Sequence, residues 1–95
     1  MTVITAIVHV DVEVSQVPEA ASAIADVDGV SEVYSVTGDT DLVVMVRVAQ
    51  QEALADVIAD RIGKVAGVRA TRTYLAFRAY SRHDLEAAFA IGADE

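Results

Sequence analysis

Two seven-residue stretches, IADVDGV at 24–30 and IGKVAGV at 62–68, share the pattern Ile-x-x-Val-x-Gly-Val at a separation of 38 residues. In each, an apolar helical pattern runs into a glycine and a strand pattern follows. A residue just past a helix C-terminus often takes the left-handed conformation, which glycine adopts without a Cβ penalty. That requirement accounts for Gly29 and Gly67. The copies are too few and the period too long for a solenoid. The chain therefore reads as two strand-helix-strand units.

Outward from the repeat, residues 3–12 alternate, with Ile4, Ala6, Val8, Val10 and Val12 on one face and Thr5, Ile7, His9 and Asp11 on the other. Pro18 suits the first turn of a helix, and Ala20, Ile24 and Val27 give that helix an apolar stripe. A second strand is expected over about 30–37 and a third over 41–49. Leu54, Val57, Ile58, Ile62 and Val65 then trace one side of a second helix, with Arg61 at its edge, about 24 Å long at the α-helical rise. The last strand is expected from Val68 to about Phe77. The order βαββαβ predicts an α+β, ferredoxin-like domain, a four-stranded antiparallel sheet in spatial order 4-1-3-2 with both helices on one face.

Ninety-five residues hold one core, and with 54% hydrophobic residues and no cysteine that core is aliphatic, built without disulfides or a thiolate-bound metal. Residues 1–80 are expected to form the domain and residues 81–95 a short C-terminal helical extension. There Ser81 and Asp84 resemble a capping box, and Leu85, Ala88 and Phe89 form a stripe. The opening run MTVITAIVHVDVEV has no basic leader and is too short for a membrane span, which predicts a cytoplasmic protein. The net charge of -8 disfavours direct binding to nucleic acid, whose phosphates are held by Lys and Arg. Residues 1–46 carry eight acids and neither Lys nor Arg, so all of the excess acid lies in the first half.

In this topology the end of strand one, the hairpin between strands two and three, and the start of strand four meet at one edge. Asp11, Glu13, Asp39 and Asp41 are expected to gather there, with Arg69 nearby. Strand three, LVVMV, is apolar on both faces and so is expected to be covered on both, with Ile7, Leu75 and Phe77 joining Val43 and Met45 on the face away from the helices. This pattern predicts a homodimer packed through its sheets.

Signals for chemistry are weak. His9, Asp11 and Glu13 share one side of a strand, but positions i and i+4 lie about 13 Å apart, too far for one metal ion. His83 beside Asp84 cannot face it on a helix, and no serine sits in a nucleophile elbow. Gly63 and Gly67 match no phosphate-binding fingerprint. Arg69, Arg72, Arg78 and Arg82 read as edge-strand charges more readily than as a nucleic-acid surface. No cofactor and no catalytic residue are expected.

The run VTGDTD at 36–41 is explicable by turn chemistry alone, since Gly tolerates positive φ and Asp accepts backbone hydrogen bonds. A small-molecule site is the alternative. The stretch VYSVTGDTDLVVMVRV, then a helix, then a Gly-Val start and the strand end TRTYLAF, resembles the effector-binding (RAM) domain of the Lrp/AsnC family of amino-acid-responsive regulators over about residues 2–79. In that family the hairpin pattern is Val-Thr-Gly, two variable residues, then Asp, matched here by Gly38, Asp39, Thr40 and Asp41. Thr71 and Thr73 match its threonine-rich last strand. The resemblance implies a non-enzymatic sensor that binds an amino acid or related metabolite near the hairpin, with Gly38, Asp39, Thr40, Asp41, Thr71 and Thr73 as ligand residues. It also implies dimers assembled into rings, an octamer or decamer, and partnership with full-length regulators of the family. Thr40 stands where family members often carry an aromatic residue. The chain starts directly at strand one, where those regulators begin with a helix-turn-helix domain, so it resembles a stand-alone effector domain. The competing reading is a small cofactor-free enzyme of the dimeric α/β-barrel type, for which His9 would have to lie beside a cavity between sheet and helices.

Overall fold

The computed structural model describes residues 3–80 together with Arg82. The sheet contains β1 (Ile4–Val12), β2 (Val30–Ser35), β3 (Leu42–Val48) and β4 (Val68–Leu75), all antiparallel, in the order β2-β3-β1-β4. This is the ferredoxin-like arrangement. Between β1 and β2 a 3-10 turn, Val14–Gln16, leads into α1 (Val17–Ala25), with Pro18 in its first turn. There the missing N–H costs nothing, because the first amides of a helix have no intrahelical partner. The expected C-terminal helix lies outside the described residues.

The strand alternation places Ala6, Val8, Val10 and Val12 of β1 and Leu42, Val44 and Val46 of β3 on the helix side, where they are buried against Ala20, Ile24, Val57 and Ile62. Each fully buried Val, Leu or Ile contributes about 1.5–3 kcal/mol of transfer free energy. Both repeat glycines sit at positive φ, 98° at Gly29 and 94° at Gly67, as their role after a helix requires. The Gly67 carbonyl also accepts the Glu13 N–H at 2.9 Å, tying the start of β4 to the end of β1.

Two details differ from the sequence expectation. The second helix is not one regular α-helix: α2 (Gln51–Ala55) passes into a π-helical stretch, Asp56–Arg61, and a 3-10 turn, Ile62–Lys64. The apolar stripe still faces the sheet, with Val57 and Ile62 buried and Arg61 exposed. The second difference is the register of β4. Ala6 pairs with Leu75 and Ile7 with Tyr74, so Leu75 lies on the helix-side face and Tyr74 takes the open-face position expected for Leu75. A strand's side chains alternate, so a one-residue difference exchanges its faces. Phe77 falls beyond the strand and is 96% exposed.

Candidate functional site

The rim is organised by the loop that joins β2 to β3. The Val36 N–H donates to the Asp41 carbonyl at 3.1 Å, closing the loop, and Gly38 at its tip has φ 120°. Nothing lies within 4 Å of where a Gly38 Cβ would stand, so the glycine serves backbone conformation and not space. Thr40 is buried, and its hydroxyl is directed at the Val10 carbonyl (3.3 Å) and the Leu42 carbonyl (3.4 Å). Burial without such a partner would cost the hydroxyl its solvation. Asp41 Oδ2 accepts the Val12 N–H at 2.8 Å, while its own N–H donates to the Val10 carbonyl at 3.2 Å. Its carboxylate thus takes the part of a strand carbonyl at the end of β1. Asp39 is exposed at the tip.

Thr71 and Thr73 pair with Val10 and Val8 and therefore lie on the helix-side face of β4, Thr71 half-buried and Thr73 exposed. One strand, β1, separates β4 from the hairpin strand β3. Of the six expected ligand residues, four are gathered in the hairpin and two stand on the edge strand β4, across β1 from it.

Between the threonines, Arg72 projects to the opposite, open face. Its Nη1 donates to Asp11 Oδ2 at 3.0 Å and its Nη2 to Asp11 Oδ1 at 3.4 Å, a two-pronged contact. The Arg72 guanidinium holds the Asp11 carboxyl below its ordinary range, with the Thr40 hydroxyl and the Arg69 charge acting in the same direction and partial desolvation against them. Arg69 Nε also lies 3.7 Å from Glu13 Oε1. The expected gathering of Asp11, Glu13 and Arg69 is present, and Arg72 joins it. The sequence signal for that addition is the alternation of TRT, which sends Arg72 to the face opposite the threonines.

On the open face Ile7, Val43 and Met45 form a half-buried apolar stripe beside His9, whose ring meets Tyr74 edge-on with centroids 5.1 Å apart. At the β2 side, Glu32 accepts from Tyr34 Oη at 2.6 Å and from Arg47 Nη1 at 2.9 Å. A groove of about 340 Å³ opens on this face between Ile7, Met45, Arg47 and the segment carrying Phe77 and Arg78. His9 therefore faces away from the helices, not into a cavity between them and the sheet. Among the described residues, no group of three or more His, Cys, Asp or Glu is placed to hold a metal ion. No described helix is long and apolar enough to cross a membrane.

The family model of the Lrp/AsnC ligand binding domain matches residues 5–85. The chain belongs to the Lrp/AsnC family. As an Lrp/AsnC ligand binding domain it is 40% identical over 65 residues to the HTH-type transcriptional regulator LrpA1 of Halobacterium salinarum, a match covering 68% of this chain and 46% of the regulator. It spans about half the length of the curated relatives it matches. Among solved structures, the Thermus thermophilus protein TTHA0845 superposes with a TM-score of 0.78 at 47% identity, covering 83% of this chain and 99% of that one. A feast or famine regulatory protein from M. tuberculosis, complexed with L-methionine, superposes with a TM-score of 0.69 at 33% identity, over 83% of this chain and 54% of that one. E. coli AsnC shares the fold with a TM-score of 0.77 at 19% identity, over 82% of this chain and 53% of that one.

Proposed function

We propose that this Lrp/AsnC domain is a non-enzymatic sensing module that binds a free amino acid or a similar small metabolite at the hairpin rim. The observation that carries the reading is the family match over residues 5–85, together with a relative of 33% identity complexed with L-methionine. The chemistry of the rim supports it. An α-carboxylate is served by free backbone amides near Gly38, and an ammonium by carboxylates such as Asp39 and Asp41. Thr40 and Asp41 already hold the loop on β1, so their contribution includes fixing its shape for the ligand. Thr71 and Thr73, from the exposed edge strand of a neighbouring subunit, complete the site.

The open face supports self-association. Its apolar stripe is flanked by charged pairs, the arrangement of a dimer interface with a dry centre and a polar rim. Dimers then associate into rings, an octamer or decamer, and the module acts with full-length regulators of its family in the cytoplasm without touching DNA itself. Calorimetric titration with the twenty L-amino acids, paired with light scattering of the same samples, tests the reading. Saturable binding by at least one amino acid, in an assembly larger than a monomer, is expected. A monomer that binds none of them overturns it.

A further inference from the structure

β4 ends at Leu75, and one bond beyond it joins the Ala76 N–H to the Thr5 carbonyl at 2.9 Å. Past that bond, residues 76–80 leave the sheet as an arm on which Phe77 is 96% and Tyr80 79% exposed. We propose that this arm is exchanged between the two subunits of the dimer, the Phe77 ring of each seated in the open-face groove of the other. The inference rests on the self-association proposed above and assigns it an anchor residue and a receiving site.

The groove, about 340 Å³, is bounded by Val3, Thr5, Ile7, Met45 and Arg47 and by the arm itself. Its lining suits an aromatic ring. A thioether sulfur and a guanidinium both make favourable contacts with a π system, and Val3 and Ile7 supply apolar wall. Arg47 is already oriented, its Nη1 donating to Glu32 Oε1 at 2.9 Å, so less side-chain freedom is lost when a ring is laid against it. Phe77 does not fill the groove of its own subunit, because a ring this exposed touches almost nothing. A single exposed aromatic needs no explanation, but a second copy that covers the neighbouring stripe brings an identical ring with it.

Symmetry decides whether that ring reaches the groove. A two-fold axis running along the strands, between two facing sheets, lays the order β2-β3-β1-β4 over its own reverse. The partner's β4 then lies over β2, and its arm emerges at the end of the sheet where Val3, Thr5 and Arg47 stand, since Ala6 pairs with Leu75 and Thr5 with Arg47. An axis running across the strands would carry the arm to the opposite end, over Asp11. The exchange is reciprocal: each subunit gives one ring and receives one, so the contact closes at two copies.

Two measurements on the full chain test the exchange. In sedimentation equilibrium, Phe77→Ala is expected to raise the dimer dissociation constant by about 30-fold or more, the cost of truncating an interface anchor. Phe77→Leu, which keeps apolar bulk, recovers part of the loss, and the far-UV spectrum of both variants matches wild type because the side chain is exposed in the subunit. The second measurement uses the absence of cysteine from the chain. Val3→Cys and Ala79→Cys, one of them tagged, are mixed in equal amounts and oxidised; a disulfide between the two different variants is expected, since exchange brings the partner's arm against Val3. A wild-type dimer with neither the mixed disulfide nor a weakened Phe77→Ala overturns the exchange while leaving self-association standing. Wild type that sediments as a monomer overturns both.

Discussion

The Asp41 carboxylate accepts the backbone N–H of Val12 at 2.8 Å, across 29 residues of sequence. This single contact fastens the β2–β3 loop to the end of β1 and so sets where the rim is. Removing the acceptor leaves a part-buried amide unpaired, which costs about 1–3 kcal/mol. Asp41→Ala is therefore expected to melt several degrees below wild type without any ligand present, since 1 kcal/mol shifts the midpoint of a domain this size by roughly 4–8 °C. Asp41→Asn, whose side-chain oxygen still accepts the N–H, keeps most of that stability. Equal melting points for Asp41→Ala and wild type would remove the fastening role.

The two sequence-repeat units and their glycines were legible because helix, stop and strand each leave a periodic trace, and the alternation of residues 3–12 assigned β1's faces correctly. The register of β4 was not. Leu75 and Tyr74 are both large and apolar enough to face inward, so pattern alone does not choose between them, and only the pairing of Ala6 with Leu75 decides. The π-helical stretch was equally hidden, because Val57, Ile58 and Ile62 satisfy a helical stripe whichever way the backbone bonds are shared. At the rim, residue types announced a polar cluster but not its internal wiring. Thr40 and Asp41 look like ligand groups in sequence, and their hydrogen bonds to Val10 and Val12 depend on a neighbour about thirty residues away.

Gly38 and Gly67 both hold positive φ, yet they should respond differently to substitution. Gly38→Ala meets only backbone strain, about 1–3 kcal/mol, because no atom lies within 4 Å of the added carbon. Gly67→Ala meets the same strain and in addition overlaps the Gln16 side chain, whose Oε1 occupies that space. Denaturant unfolding should rank Gly67→Ala as the less stable. Gln16→Ala should recover part of the loss in the Gly67→Ala background and none of it in Gly38→Ala, a coupling that a double-mutant cycle isolates.

The acid limb of stability carries a signature of Arg72. A carboxyl whose folded pKa is depressed stabilises the fold at pH above its unfolded value and loses that contribution as pH falls through the folded value. For Asp11 the Arg72 hydrogen bond is the main cause, helped by Thr40 and Arg69, and the depression is from an ordinary 3.8. In wild type the Asp11 carboxyl should titrate below 3.8, and in Arg72→Gln its midpoint should rise toward that value. The melting-point difference between the two proteins should shrink as the pH is lowered through that window. A midpoint unmoved by the substitution, read from the carboxyl resonance, would show that Arg72 does not hold Asp11 in solution.

The open face makes the last prediction. Met45 is half-buried beside Ile7 and Val43 and lies opposite the helix-side core, so a charge there leaves Val44 and Val46 packed as before. If two sheets meet on this stripe, Met45→Glu places an unpaired carboxylate in a desolvated contact, costing roughly 2 kcal/mol or more, at least about 30-fold in the dimer dissociation constant. Sedimentation at micromolar concentration should find wild type dimeric or larger and Met45→Glu shifted toward monomer, with a far-UV spectrum unchanged. Val14→Glu supplies the control, because Val14 is 89% exposed in the turn before α1 and away from the stripe. Its assembly should match wild type. Loss of assembly in both variants would point to general solubility effects, and a wild-type monomer would leave the apolar stripe without a partner of its own kind.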